Sequence, residues 1–386
     1  MKKIIFFTLE DTWMGGIASV NEALRPALEN EGFCVKNLFL RGCKTPLPPC
    51  PANTVLRKNC PWNFVHGTWI KEALREKKIG KVLSLTGKRL WDTLRNRWDF
   101  LRAKLFFLRE NPDCIVVTSY LLLDAVPKRY LPRTLHHVHT SLKATLEQRE
   151  NKKTLERYNG KIGFLWLSQA ICEEAKSLGF SPSFYCYNPL SRYPETRTEA
   201  ERMTTLSVIT RFSAEKRLPL AVTLIRKALD SLPDSNRFRV EFWGSGPEER
   251  ALADAIGTDP RFGIMGVTSD PFGVLSRTRL TVNTSSFEGF SISILEAAAA
   301  GVPTVSFVFG EAAAEEIENG KTGFLVPMDD EEAFVENLSS LLSDDALCQS
   351  FSVAAREKAA RFEKSRIAKD WCDLLFSLPL DKMEKP

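Results

Sequence analysis

Short runs of β-branched and aromatic residues alternate with longer helix-like stretches, and this alternation occurs twice along the chain. The first series is KIIFFT (3–8), CVKNLFL (34–40), CIVVT (114–118), TLHHVHT (134–140) and GFLWLS (163–168). Strands that are apolar along their whole length are buried on both faces, and the helices between them supply the cover, which means a parallel sheet. The second series is LSVIT (206–210), FRVEFWG (238–244), FGIMG (262–266), LTVNTS (280–285), PTVSFV (303–308) and GFLVP (323–327). Helical stretches such as LPLAVTLIRKAL and EEAFVENLSSLL separate its members.

Between the two series lies SRYPETRTEAERMTT, polar, charged and carrying Pro194, which reads as a linker. A chain of 386 residues also exceeds what one core usually holds. The expected class is α/β with two Rossmann-like domains: residues 1–190, a linker over 191–204, and residues 205–365. A helix and tail over 366–386 are expected to pack back toward the first domain. Two open parallel sheets facing each other put a ligand cleft at the carboxyl ends of their strands.

Composition excludes several other classes. Nine cysteines lack Cys-x-x-Cys pairing and disulfide-scaffold density, so they read as thiols in a reducing cytoplasm. The start, MKKIIFFTLEDTW, reads as a buried strand and not a signal peptide, and no stretch approaches the ~20 apolar residues of a membrane span. The net charge of +5 is too small to argue for a nucleic-acid partner. It is concentrated, however: residues 71–109 carry twelve Lys or Arg against four Asp or Glu.

Within that segment, residues 88–110 form an amphipathic helix pattern. Trp91, Trp98 and Leu105 share one heptad position and Leu94, Leu101 and Leu108 another. Lys88, Arg95, Arg102 and Arg109 flank this seam on one side, Arg97 and Lys104 on the other. Two readings fit: an interfacial helix meeting an anionic membrane surface, or a seam packed on the first domain's sheet with a solvated basic rim.

The segment SFEGFSISILEAAAAGVP (286–303) follows a second-domain strand and enters a helix whose first turn is expected to include Phe290, Ser291 and Ile292. Unpaired amides at such a start, with the helix dipole, suit a phosphate. Glu288 from the loop and Glu296 from the helix can accept from sugar hydroxyls, although Ser293 and Glu296 also have capping-box spacing. Arg211 and Lys216 lie where the second domain's first strand passes into a helix, and two cations there can neutralise a diphosphate. Gly244 in WGSGPEE adds a glycine turn after another strand. In the first domain, Gly15 and Gly16 precede the first helix, where they allow close backbone approach or make a permissive turn. Three of the four histidines lie in LHHVHTS, with His137 and His139 on one strand face and His136 on the other. Ser168 and Asn188 suit cleft shaping and capping.

Arg211 and Lys216, then WGSGP, FEGFSISILEAAAAGVP and NGKTGFLVP, in this order, resemble the carboxyl-terminal domain of glycosyltransferase family 4, retaining enzymes of GT-B architecture. Thr210 departs from the glycine common at that position. The resemblance implies that Glu296 holds a nucleotide ribose and that Glu288 lies near donor-sugar hydroxyls. It gives the diphosphate to Arg211 and Lys216, helped by amides of Phe290 to Ile292 and by the Gly15–Gly16 loop, and sets His139 near the reacting sugar.

The expected function is therefore retaining transfer from a nucleotide diphosphate sugar, a UDP-sugar first among candidates, to a saccharide or lipid-linked acceptor in bacterial cell-surface polysaccharide or glycolipid assembly. No DxD-type motif stands in the cleft segments, so no metal or other cofactor is expected. The expected location is cytoplasmic, with a peripheral position on the inner membrane face. A nicotinamide-dependent oxidoreductase is the alternative enzyme class, but Gly-x-Gly-x-x-Gly follows neither domain's first strand. A non-catalytic sugar-nucleotide-binding protein is the other alternative.

Overall fold

The structure is a computed structural model that describes residues 2–10, 16–42, 50–57, 79–194 and 204–378. The first domain is a parallel sheet of seven strands: β1 (Lys3–Glu10), β2 (Cys34–Arg41), β3 (Asn53–Arg57), β4 (Cys114–Val117), β5 (Thr134–His137), β6 (Gly163–Trp166) and β7 (Ser183–Tyr185). Their order is β3-β2-β1-β4-β5-β6-β7. The continuous apolar runs are explained by burial on both faces: Ile4, Ile5, Phe6 and Phe7 are all buried, as is every residue of β4.

The second domain repeats the plan with β8 (Thr205–Ile209), β9 (Arg239–Trp243), β10 (Phe262–Gly266), β11 (Thr281–Asn283), β12 (Thr304–Phe307) and β13 (Gly323–Val326). It has two three-stranded sheets, β10-β9-β8 and β11-β12-β13. A bridge between Leu206 and Leu280 joins them, with the Ser207 amide 3.4 Å from the Leu280 carbonyl. Both domains therefore run outward in both directions from their first strand, and the order reverses between β1 and β4 and between β8 and β11. Helices leave such a point toward opposite faces, and the crevice between them at the strands' carboxyl ends receives ligands.

Five helices matter below: α1 (Gly16–Asn30), α2 (Ile79–Glu110), α3 (Gln169–Ser177), α4 (Ile292–Ala299) and α5 (Lys364–Ser377). Although last in the sequence, α5 lies on the first domain. Its Trp371 is fully buried, 5.7 Å from the Phe6 ring and 5.3 Å from the His137 ring, in one core with Leu24 and Leu28 of α1. Two more cores fill the remaining layers, one around Phe7, Phe107 and Trp166, the other around Phe212, Phe242 and Phe334.

Two strands escape the sequence reading as named runs. β3, NTVLR, is an edge strand in a segment rich in proline and cysteine, and β7, SFY, has three residues. The seam of α2 is also resolved. Trp91, Leu94, Trp98, Leu101, Leu105 and Leu108 are exposed, so the reading in which the seam packs on the sheet is wrong. Asp92, Asp99, Ala103, Phe106 and Phe107 form the buried face instead.

Candidate active site

The carboxyl ends of β8 and β11 flank the second domain's reversal point. The loop after β8 carries Arg211 and Lys216, and the loop after β11 carries Ser285 and Glu288. The loops are laced together. Ser286 N donates to the Glu215 carbonyl at 2.8 Å, Thr284 Oγ1 to the Lys216 carbonyl at 2.8 Å, and Arg217 Nε to the Thr284 carbonyl at 2.7 Å. Thr284 itself is buried, and Arg217 adopts a left-handed backbone (φ 49°) to make the turn.

Lys216 Nζ lies 2.5 Å from Glu288 Oε1, both side chains mostly buried, and Ser285 Oγ approaches the same oxygen at 2.8 Å. The family resemblance assigned the two residues to different parts of a ligand, whereas the structure pairs them with each other. Arg211 is different: its side chain is 75% exposed and 3.6 Å from Glu215. It is a cation on the rim, able to reach a ligand without breaking a buried bond.

Glu296 projects from α4, where burial pushes its carboxyl up to about 7 against the opposing pull of Arg192, a residue of the expected linker. α4 begins at Ile292, with Ser291 as its cap residue and no side-chain capping bond, so the Ser293–Glu296 capping box does not form. The expected first turn over Phe290–Ile292 is thus one to two residues early. The Phe290 ring is plugged between Tyr187 and Phe362, at 5.4 and 5.5 Å, and the Ser291 amide donates to Glu316 Oε1 at 2.8 Å. An anion at this helix start would therefore compete with Glu316 for the Ser291 amide.

Glu316 was invisible in the sequence. It is fully buried with Oε2 unpartnered, and burial, added to the nearby charges of Glu288 and Glu315, drives its carboxyl well above the usual range despite the Ser291 bond. Its neighbour Glu315 crosses to the first domain. It accepts from the Ala170 and Gln169 amides at the start of α3, at 2.7 and 3.3 Å, and from Tyr187 Oη at 2.5 Å. Two adjacent acids in an alanine-rich stretch carry no local signal of a site, and only the tertiary fold gives them partners.

The first domain meets this site through the carboxyl end of β5. Gly289 sits so close to Thr140 that an added Cβ would lie 2.9 Å from its Cα. Glycine is thus required where the loop carrying Glu288 touches the segment carrying His139. The His137 and His139 rings lie side by side, centroids 4.0 Å apart, as alternation along the strand predicts. Both nitrogens of His137, and Nε2 of His139, are buried without a partner. Burial, and then the neighbouring histidine charge, lowers His137 well below its ordinary value and His139 to about 3, so both are neutral imidazoles at pH 7. His136, on the other face, bonds Val117 O through Nδ1 at 3.0 Å.

The remaining candidates separate. Gly244 has φ 147° and an added Cβ would strike the Thr210 carbonyl at 1.8 Å, so its glycine is already demanded by loop packing. Gly15 lies outside the described residues, and Gly16 opens α1. Ser168 Oγ caps α3 by accepting from Ile171 N at 3.1 Å, and Asn188 is buried. Among the described residues no three His, Cys, Asp or Glu side chains cluster as a metal site, and no helix is long and apolar enough to cross a membrane.

Two Rossmann-like domains whose strand ends face each other across this site define the GT-B architecture. Residues 204–344 match the family model described as Glycosyl transferases group 1. The chain is 25% identical over 168 residues to the poly(glycerol-phosphate) alpha-glucosyltransferase of Bacillus subtilis, covering 42% of this chain and 24% of that protein. It is 30% identical over 219 residues to an exopolysaccharide phosphotransferase of Streptomyces coelicolor, covering 55% of this chain and 22% of that one. The chain thus spans under a quarter of the length of either relative. In fold it is similar to TarM, with TM-score 0.75, 13% identity and coverage of 98% and 99%. It is also similar to Anabaena HepE in complex with UDP-glucose, with TM-score 0.68, 16% identity and coverage of 98% and 100%.

Proposed function

We propose that the protein is a retaining glycosyltransferase that moves a sugar from a nucleotide diphosphate sugar, foremost a UDP-sugar, to an acceptor hydroxyl in bacterial cell-surface polysaccharide or glycolipid assembly, on the cytoplasmic side of the membrane. The observation that carries this reading is the meeting of Glu288 and Lys216 with the His139–Thr140 segment, through the Gly289 contact, at the reversal point of the second sheet. The matched family of residues 204–344, and the UDP-glucose bound in a protein of the same fold, support it.

In this reading the nucleotide lies against the second domain, with its ribose on Glu296. The diphosphate enters beside Lys216, drawing its ammonium from Glu288, while Arg211 closes from the rim. Glu288 then turns to the donor-sugar hydroxyls, joined by the neutral imidazole of His139, whose unpartnered Nε2 can donate to or accept from a hydroxyl. The bond from the anomeric carbon to the diphosphate oxygen breaks, the acceptor oxygen bonds to that carbon on the same face, and the acceptor proton leaves with the diphosphate. Fixed cations and helix amides stabilise the charge on the leaving group. No step needs a metal.

The test is a panel of UDP-, GDP- and ADP-sugars scored by thermal stabilisation and by slow donor hydrolysis. One nucleotide class should stabilise the protein, Glu296→Ala should weaken that binding, and Glu288→Ala should mainly lower turnover. Stabilisation by NADH alone, or both variants behaving as wild type, would overturn the assignment.

A further inference from the structure

We infer that the outward face of α2 is a docking surface for an anionic lipid membrane. The helix is amphipathic with its polarity reversed relative to a packed one. Its carboxylates face the protein: Asp99 is fully buried between Arg57, at 2.7 Å, and Arg41, at 3.3 Å, and Asp92 is buried 2.5 Å from Arg95. Asn96 from the same face bonds Arg41. Phe106 and Phe107 near its end pack inward, but the large apolar side chains of its seam face away, with Trp91 66%, Leu94 51%, Trp98 58% and Leu105 57% exposed. Helices on soluble proteins do the opposite, and a contiguous exposed apolar patch marks an interaction site.

Charge selects the occupant. The exposed positions repeat in the 3-4 spacing of a coiled-coil seam, so a second copy of this helix is the first partner to consider. Apart from Leu90, the positions flanking that seam are the cations Lys88, Arg95, Arg97, Arg102, Lys104 and Arg109, of which Arg95 is held by Asp92 and the others are left to the outer face. Flanking positions meet each other across a two-helix interface, whether parallel or antiparallel, so self-pairing would set arginine against arginine. An anionic bilayer surface suits both features: tryptophan and leucine enter the boundary of the acyl region, and the long cations rise beside them to the headgroups.

Position on the domain fits the same occupant. Glu110, at the end of α2, pairs with Lys3 and Lys36 at the starts of β1 and β2, whereas Asp99 pairs with Arg41 and Arg57 at the ends of β2 and β3. The helix thus runs against the strands and continues about 30 Å beyond Asp99 at its ordinary rise per residue, past the carboxyl ends where the cleft lies. A membrane held by this face would lie along the flank of the first domain, beside the cleft mouth.

The experiment is co-sedimentation of the full chain with vesicles of phosphatidylcholine, alone or with about 30% phosphatidylglycerol, at about 0.05 and 0.5 M salt, without nucleotide or acceptor. Wild type is expected on the anionic vesicles only, released by salt. A Trp91→Ser, Trp98→Ser, Leu101→Ser variant should bind at least about tenfold more weakly while keeping its circular dichroism, since these side chains are exposed. No binding to anionic vesicles at low salt overturns the proposal. So does equal binding to neutral ones, or a dimer in sedimentation velocity that the triple variant dissolves, which would give the face to a second copy. Failure would leave the nucleotide reading untouched, because no nucleotide takes part.

Discussion

Lys216 and Glu288 are bonded at 2.5 Å in a site mostly closed to solvent, although they come from the loops after two different strands of the second domain, β8 and β11. An ion pair of this kind holds the ligand's place: each partner keeps the other from being a buried, uncompensated charge until an anion and a hydroxyl arrive. Lys216→Ala is therefore expected to lose both functions of the pair. Turnover should fall about 10²–10³-fold if the ammonium stabilises the leaving diphosphate. Stability should fall by about 1–3 kcal/mol because Glu288 is left without its partner. Steady-state transfer and urea midpoints check the two separately, and a Lys216→Ala, Glu288→Ala double variant should recover stability but not turnover.

Donor binding should depend on pH through Glu296, whose carboxyl is raised to about 7 by burial. Below that value it is increasingly protonated and is a poorer acceptor for ribose hydroxyls. The affinity for an intact nucleotide sugar should therefore weaken as pH falls from 8 to 6, by up to about tenfold per pH unit. Glu296→Gln should bind more weakly at pH 8 and show a flat profile. Titration calorimetry with the nucleotide sugar, whose diester phosphates do not titrate in this range, reads the effect directly.

Acid stability carries the mark of the buried histidines. His136 is lowered to about 4 and His137 well below its ordinary value, in both cases chiefly by burial. Between pH 6.5 and 4.5 the unfolded chain binds protons at these rings that the folded chain refuses, so stability falls with pH, by about 1.4 kcal/mol per unit for each ring. Glu296 and Glu316, raised by burial, work the other way, because their folded forms keep protons that the unfolded chain releases above about 4.5. Glu296→Gln should therefore steepen the loss on acidification and His137→Phe should flatten it. Chemical denaturation from pH 4.5 to 7.5 distinguishes the two slopes.

The orientation of α2 predicts an inverted mutational pattern. Asp99→Ala removes the buried carboxylate that bridges Arg41 and Arg57 and should cost about 3–5 kcal/mol. Trp98→Ala, one residue away but exposed, should change stability by less than about 0.5 kcal/mol. Had the tryptophan seam packed on the sheet, the ranking would be reversed.

The strands were legible because burial on both faces leaves an unbroken apolar run, and the cleft was legible because glycines and charges sit where those runs end. What could not be read were features whose meaning depends on a distant partner. Glu316 needs the Ser291 amide and Glu315 needs α3, and neither spacing appears in a local pattern. The heptad in α2 showed that a seam existed but not what faced it. Asp92 and Asp99, seven residues apart and so on one face of the helix, were the available clue, together with Arg41 and Arg57 at the ends of two strands.

Trp371 closes the core beneath Phe6 and His137, so the sheet that is threaded first is finished by a helix made some 360 residues later. During synthesis α1 can cover part of that face at once, but the part beneath Trp371 cannot be closed until the second domain has been made. The first domain's core is thus built from segments that lie on both sides of the second domain in the sequence, so the two domains cannot be separated by a single cut without opening that core.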